Sequence, residues 1–280
     1  MAFEVVKNIP EARPKWVPAS YGAAASTFYV GGLVCAQMTG SAGAMPVSTG
    51  VVPMGAAAGA NDLTDKKVPV GVVVGIGSRY PTTDSTYKAL SEASVNTGAL
   101  QLARTSQFVQ GPYAKNDPRL FVQIIPIYPS TVLRAKIYES TYGTAPTVVT
   151  ATAVNGTAGL GFTNAAQTPT PIANTCTYFC RSGLNQGLQR VAYDASATAH
   201  TFYVYWPRTL AIGDTFVRVP FREIGVSNAQ IDAAGMFLDS HADYTTNCYT
   251  INVEKLNIAD AGNESIEFTF NMDQFCFARA

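Results

Sequence analysis

Charged side chains are scarce in this sequence. Asp, Glu, Lys and Arg make up 14% of its 280 residues, against about 25% in an average soluble domain. Nineteen basic residues balance 19 acidic ones, so the formal net charge at pH 7 is zero. A nucleic-acid-binding surface needs a basic excess, and that class of partner is therefore disfavoured. Because a chain without net charge tends to associate, we expect it to pack against copies of itself or a partner.

Residues that usually carry catalysis are equally few. The only histidines are His200 and His241. No GxSxG elbow accompanies either one, and the acidic residues form no cluster that indicates a paired-carboxylate glycosidase. Asp239, His241 and Asp243 are ligand types that suit a divalent cation, but short polar loops of this composition are common. The sequence therefore predicts a protein that is not an enzyme, with no catalytic, cofactor-binding or metal-binding residue.

Signals for export or membrane insertion are also missing. The first 16 residues contain two glutamates and no apolar core of a signal peptide. No apolar run reaches the roughly 18 residues of a membrane-spanning helix. Of the five cysteines, Cys176 and Cys180 lie about 13 Å apart if their segment is a strand, which is too far for a disulfide. We expect all five to be reduced and mostly buried, as in a cytoplasmic environment.

The clearest pattern in the chain is the strand pair within His200–Phe221, with a turn at Gly213-Asp214. Alternating β-branched and aromatic residues are the sequence signal of a strand. Before Pro207, one face would hold Phe202, Val204 and Trp206, and the other Tyr203 and Tyr205. Both faces are apolar, so this strand is predicted to be covered on both sides. His200, at its start, is predicted to be a solvated edge residue.

Further strands follow at regular intervals. Strand patterns cover Val68–Gly75, Leu120–Tyr128, Val132–Tyr138, Thr147–Val154, Thr177–Arg181, Leu188–Tyr193, Ala234–Leu238, Tyr249–Leu256 and Asn263–Asp273. Only Thr86–Arg104 offers a helical alternative, as a short helix or a long surface loop. This pattern predicts an all-β fold, an antiparallel sandwich or barrel with room for two β-subdomains and an extended N-terminal arm. The expected division is an arm or hairpins over residues 1–64, a first β-subdomain over 65–160 and a C-terminal sandwich or barrel over 161–280.

The segment from Trp16 to Asn61 contains no charged residue over 46 positions. A flexible linker would be polar and solvated, whereas this segment is apolar with small side chains. Two interpretations remain open. The segment forms β-hairpins folded onto the core, or it is an arm that packs against neighbouring subunits.

Two segments carry a family resemblance: VLRAKIYESTYGTAPTVVTAT (Val132–Thr152) and HTFYVYWPRTLAIGDTFVRVPFREI (His200–Ile224). Together with the uncharged N-terminal segment, they resemble structural proteins of tailed-bacteriophage virions, and are most similar to capsid decoration (cement) proteins. The resemblance implies a β-rich homotrimer on the capsid surface that clamps the major capsid protein. It also implies assembly in the cytoplasm of the bacterial host, with no membrane or nucleic-acid partner.

Two alternatives stand beside this expectation. One is another virion component, either the shell-forming subunit or a tail-tube or baseplate subunit. The other is a glycan- or receptor-binding module that uses Tyr203, Tyr205 and Trp206. The second is disfavoured by the prediction that these aromatic residues are buried.

Overall fold

The computed structural model describes only part of the chain in detail. The described residues are 3–10, 12–18, 26–39, 47–54, 68–77, 99–102, 121–138, 146, 148–155, 159–167, 171, 174–229, 231, 235, 238–239 and 249–271. Every regular element in these ranges is a β-strand, so the predicted all-β fold is confirmed. Among these residues no helix is long and apolar enough to cross a membrane.

Twenty strands occur in the described ranges, numbered here in chain order. The first ten are β1 (Glu4–Lys7), β2 (Lys15–Pro18), β3 (Ser26–Tyr29), β4 (Leu33–Thr39), β5 (Val47–Pro53), β6 (Val68–Gly77), β7 (Ala99–Leu102), β8 (Phe121–Pro126), β9 (Val132–Tyr138) and β10 (Val148–Thr150). The others are β11 (Ala153–Val154), β12 (Gly161–Thr163), β13 (Thr177–Cys180), β14 (Gln189–Ala195), β15 (Ala199–Phe202), β16 (Thr215–Val219), β17 (Gly225–Ala229), β18 (Leu238–Asp239), β19 (Tyr249–Asn257) and β20 (Ser265–Phe270).

The chain divides into two compact units that are discontinuous in sequence. The first unit comprises Met1–Leu133, Ile231–Phe237 and Asn271–Ala280, and the second comprises Arg134–Gln230 and Leu238–Phe270. The boundaries predicted after residues 64 and 160 differ from this division. Two short segments from late in the sequence belong to the first unit. Local composition does not reveal such long-range contacts.

A five-stranded antiparallel sheet, in the order β2-β8-β6-β4-β5, dominates the first unit. The two end strands, β2 and β5, also contact each other, so the sheet curls. Strands β4 and β5 form a hairpin, and β4 pairs on its other side with β6. Strands β4 and β5 belong to the uncharged segment, and they form a hairpin as in the first of the two predicted alternatives. Val34, Cys35 and Val72 are buried in its core.

Strand β7 corrects the prediction for Thr86–Arg104. Ala99–Leu102 is extended and pairs antiparallel with β3, where a helix or loop was expected. The pairing supplies backbone partners from at least 70 residues away, which a local helical pattern does not reveal. The rest of the predicted helix lies outside the described residues.

The second unit contains a seven-stranded antiparallel sheet, in the order β10-β16-β13-β14-β15-β12-β11. Its two end strands are consecutive along the chain, separated only by Ala151 and Thr152. The Ala151 N–H donates to Asp214 O at 2.9 Å, whereas the Thr152 N–H donates to Thr163 O at 2.7 Å. One segment thus bonds to both ends of the sheet, which curls around until those ends meet. We call it the curled sheet.

Aromatic side chains fill the interior of the curled sheet. The rings of Phe162 and Phe216 stack with centroids 4.3 Å apart and an interplanar angle of 10°. Tyr178 meets Phe162 edge-on at 5.8 Å, and Trp206 meets Phe202 edge-on at 5.3 Å. All five side chains are buried. Because aromatic rings bury large areas and prefer these arrangements, this cluster forms the centre of the apolar core inside the curled sheet.

A second sheet of this unit has the order β9-β20-β19-β17, with β18 beside β9. Ile266, Phe268 and Phe270 of β20 are buried, as the alternation in that strand predicts. Arg181 connects the β19–β20 turn to the end of β13. It forms an ion pair with the buried Glu264 carboxylate at 2.6 Å and donates to Ile258 O at 3.1 Å.

Candidate ligand-binding cleft

A cleft of about 520 Å³ opens on the surface of the second unit. Its walls come from the start of β14, the bend after β15 and the loop between β16 and β17. The side chains most relevant to binding are Gln189, Arg190, Tyr203, Arg222, Glu223 and Ile224. The volume lies within the range of roughly 300–1,000 Å³ that is typical of small-molecule sites.

The bend after β15 brings tyrosine to this surface. Strand β15 ends at Phe202, and both Phe202 and Trp206 point into the core. The backbone N–H of Trp206 donates to Gly159 O at 2.9 Å, which anchors the far end of the bend. Between these anchors, Tyr203 is 56% exposed and Tyr205 is 59% exposed. The prediction that this segment is a strand covered on both faces is therefore wrong.

Asn174 fixes two walls of the cleft at once. Its φ of 64° lies in the left-handed region, which asparagine tolerates better than most residues. Its side-chain oxygen accepts a hydrogen bond from the Tyr203 hydroxyl, and its carbonyl accepts one from Arg222 Nε at 2.6 Å. The Asn174 N–H in turn donates to Ala192 O at 3.0 Å. Tyr203 and Arg222 are thereby oriented before any ligand binds.

Arg190 is held in place by three contacts. Its Nη1 donates to Gln189 O at 2.7 Å, and its Nε donates weakly to Tyr205 O at 3.5 Å. The guanidinium carbon lies 5.6 Å from the centroid of the Trp206 ring, a cation–π distance. These contacts restrain the guanidinium, and Nη2 has no partner among the described residues.

The cleft carries an excess of positive charge. Two arginines line it against one acidic residue, Glu223. The ion pairs formed among the described residues, Arg134–Glu267 and Arg181–Glu264, involve none of these three side chains. The remaining lining includes the Tyr203 ring and the exposed side chain of Ile224. Chemically, the cleft suits a ligand with an anionic group, hydroxyl groups and an apolar face.

A separate polar network lies inside the curled sheet. His200 Nε2 lies 2.6 Å from Asn164 Oδ1, and the Tyr178 hydroxyl lies 3.1 Å from His200 Nδ1. Gln167 Nε2 is 2.8 Å from His200 Nε2. Burial, and secondly the charge of Arg218, lower the pKa of His200 to about 4. All five side chains are buried, so this network stabilises the core and does not meet a ligand.

Two residues, His200 and Trp206, lie in surroundings that differ from those predicted. His200 was expected at a solvated edge, but it is fully buried because Phe162 and Tyr178 pack against its ring. Trp206 is buried beneath Arg190 and does not face the solvent as part of a sugar-binding surface.

Two of the three candidate metal ligands lie outside the described residues. Asp239 ends β18, whereas His241 and Asp243 lie outside the described residues. Within the described ranges, no group of three His, Cys, Asp or Glu side chains is placed to hold a metal ion.

Sequence reasoning missed the residues that build the cleft. Asn174 lies in a Thr- and Asn-rich segment whose composition predicts an ordinary loop. Arg190 and Arg222 are more than 30 positions apart in the sequence, and no motif links them. The one available signal is their presence in a chain with so few charges.

Comparison with known proteins adds no further assignment. No family model matches the chain, and no curated protein or solved structure matches it.

Proposed function

We propose that this chain is a virion structural protein that decorates and stabilises a tailed-phage capsid. In this role it contacts the major capsid protein and other copies of itself, as a homotrimer. The observation that carries the proposal is the exposure of large apolar side chains on a surface with few charges. Those more than half exposed in the second unit, besides the bend, include Val148 (58%), Leu184 (75%), Ile212 (71%), Ile224 (71%) and Val226 (58%).

Exposed apolar side chains that adjoin one another are typical of surfaces that a partner covers. Val226 lies on β17, which ends its sheet in the described part of the chain. An edge strand offers unpaired backbone groups to another strand, and an exposed apolar residue adds to the attraction. This arrangement supports assembly through β-mediated contacts. It is equally compatible with the alternative virion roles, a shell-forming, tail-tube or baseplate subunit.

Light scattering after size exclusion tests the proposal on the full chain. We expect a stable closed trimer, which Val226→Asp or Ile212→Asp dissociates because either change places a charge in an apolar contact. Thr198→Asp is the matched control, since Thr198 is exposed and polar and lies on none of the segments that carry these apolar side chains, and it should leave the mass unchanged. A monomer at every concentration would contradict the proposal, and open tubes or large shells would favour the alternative virion components.

A receptor- or glycan-binding role is the second candidate. One observation favours it, namely that Tyr203 and Tyr205 are exposed, which removes the reason for disfavouring it. Exposed aromatic rings beside polar side chains are a common platform for sugars, because the ring face packs against the apolar face of a pyranose. A decoration protein with such a site would both stabilise a shell and present a binding surface.

A further inference from the structure

We propose that the cleft between Arg190, Tyr203 and Arg222 binds a carboxylated sugar, such as a uronic acid unit of an acidic saccharide. This inference rests on the second candidate function, saccharide recognition, and specifies the chemistry of the ligand. It does not depend on the assembly proposal.

The aromatic wall is rigid although it is exposed. Tyr203 packs edge-on against Tyr193, with ring centroids 5.0 Å apart, and its hydroxyl is held by Asn174. A side chain that is already ordered loses little conformational entropy when a ligand binds. The Tyr203 ring is therefore suited to pack against the C–H face of a pyranose.

The arginines specify an acidic group on that sugar. Arg222 uses Nε for the Asn174 carbonyl, so its two terminal nitrogens have no bonded partner among the described residues. Arg190 likewise retains Nη2. Guanidinium groups bind carboxylates through paired, charge-assisted hydrogen bonds. Two restrained guanidiniums at one cleft therefore select a ligand that carries a carboxylate.

Glu223 narrows the choice of anion. Its carboxylate lies in the same lining and would repel a dianionic phosphate more strongly than a monoanionic carboxylate. It also accepts hydrogen bonds, as the Gln189 side-chain oxygen does, and a sugar supplies several hydroxyl donors. A carboxylated, polyhydroxylated ring satisfies both the positive and the negative groups of the cleft.

The test compares two probes that differ at a single carbon. Methyl β-D-glucuronide carries a carboxylate where methyl β-D-glucoside carries a hydroxymethyl group. Binding of each to the full chain is followed by ligand-observed NMR titration. We expect the glucuronide to bind about tenfold more tightly, or more, as charge-assisted hydrogen bonds predict.

Paired variants assign the effect to the cleft. Arg222→Met should lower glucuronide affinity to that of the glucoside, and Tyr203→Ala should weaken both probes. The control is Arg208→Met, which changes an exposed side chain outside the lining and should leave both affinities unchanged. Unchanged far-ultraviolet circular dichroism shows that each variant is folded.

Three results would overturn the inference. If the two probes bind with equal affinity and Tyr203→Ala weakens both, saccharide recognition is retained and the preference for an acidic sugar is refuted. Acetate that competes as well as the glucuronide would identify a plain carboxylate site. If neither probe binds, both this inference and the second candidate function are refuted. The assembly proposal is unaffected, because light scattering tests it separately.

Discussion

Lowering the pH is expected to destabilise the second unit through His200. The imidazole is buried among aromatic rings, and Arg218 places a positive charge nearby. Both effects disfavour the protonated form, so the pKa of His200 is lowered from 6.5 to about 4 in the folded protein. The unfolded chain keeps the ordinary value. Below pH 6.5 the unfolded state therefore binds a proton that the folded state does not, and stability falls as the pH falls from 6.5 to 4.

The size of this effect follows from the difference between the two pKa values. One pKa unit corresponds to about 1.4 kcal/mol. The complete loss, reached below the folded pKa, is therefore about 3 kcal/mol for the shift of His200. Between pH 7 and pH 5, before most carboxylates titrate, the loss is about 2 kcal/mol. This is a large fraction of the stability of a typical domain.

Urea unfolding of two proteins at pH 7, 6 and 5 measures the effect. The chain has two tryptophans, so a Trp16→Phe background leaves the buried Trp206 as the fluorescent reporter of the curled sheet. In that background we compare the parent with His200→Gln. We expect the parent to lose about 2 kcal/mol between pH 7 and pH 5, and His200→Gln to lose much less.

The comparison concerns the slope of stability against pH and not the stability itself. His200→Gln is expected to be less stable at every pH, since it disturbs the hydrogen bonds to Asn164 and Tyr178. If His200→Gln shows the same loss between pH 7 and pH 5 as the parent, the reasoning from burial is refuted. A parent whose stability does not change in this window would refute it as well.

Two further predictions concern stability. Arg181→Met should cost about 3 kcal/mol because it leaves a buried carboxylate without its charged partner, whereas Arg134→Met, at a more exposed ion pair, should cost about 1 kcal/mol or less; similar values in urea unfolding would contradict this ranking. Gly183→Ala should be more destabilising than Gly213→Ala, although both residues have positive φ (87° and 94°). A Cβ at Gly183 would lie 2.1 Å from a carboxylate oxygen, whereas one at Gly213 would meet nothing within 4 Å, so only the second substitution should be limited to a backbone cost of about 1–2 kcal/mol. Equal melting temperatures for the two variants would argue against the close contact.

Local patterns in the sequence account for most of the strands. Alternation in Ile266, Phe268 and Phe270 identified a strand and its buried face, because period two is a property of the extended backbone itself. Gly213 marked a turn in the same way, since positive φ is a local requirement. The all-β class follows from such signals alone.

The sequence did not determine where the chain leaves a sheet. Phe202 to Trp206 alternates like a strand, yet the curled sheet needs both residues in its core, and the bend between them exposes Tyr203. His200 shows the same limitation. It is polar and begins a strand, but partners more than 20 residues away bury it. A polar residue can be buried only if distant groups form hydrogen bonds with it, and the spacing of residues in the sequence does not show whether they do.

By itself the sequence determined the all-β class, the low charge and the absence of a catalytic motif, because each depends on composition or on neighbouring residues. The tertiary structure alone decided the cleft. It brought Arg190 and Arg222 from separate segments to one surface and used the left-handed backbone of Asn174 to orient Arg222 and Tyr203. The physical reason is that a binding site depends on distances through space, which sheet pairing and the curl of the sheet set.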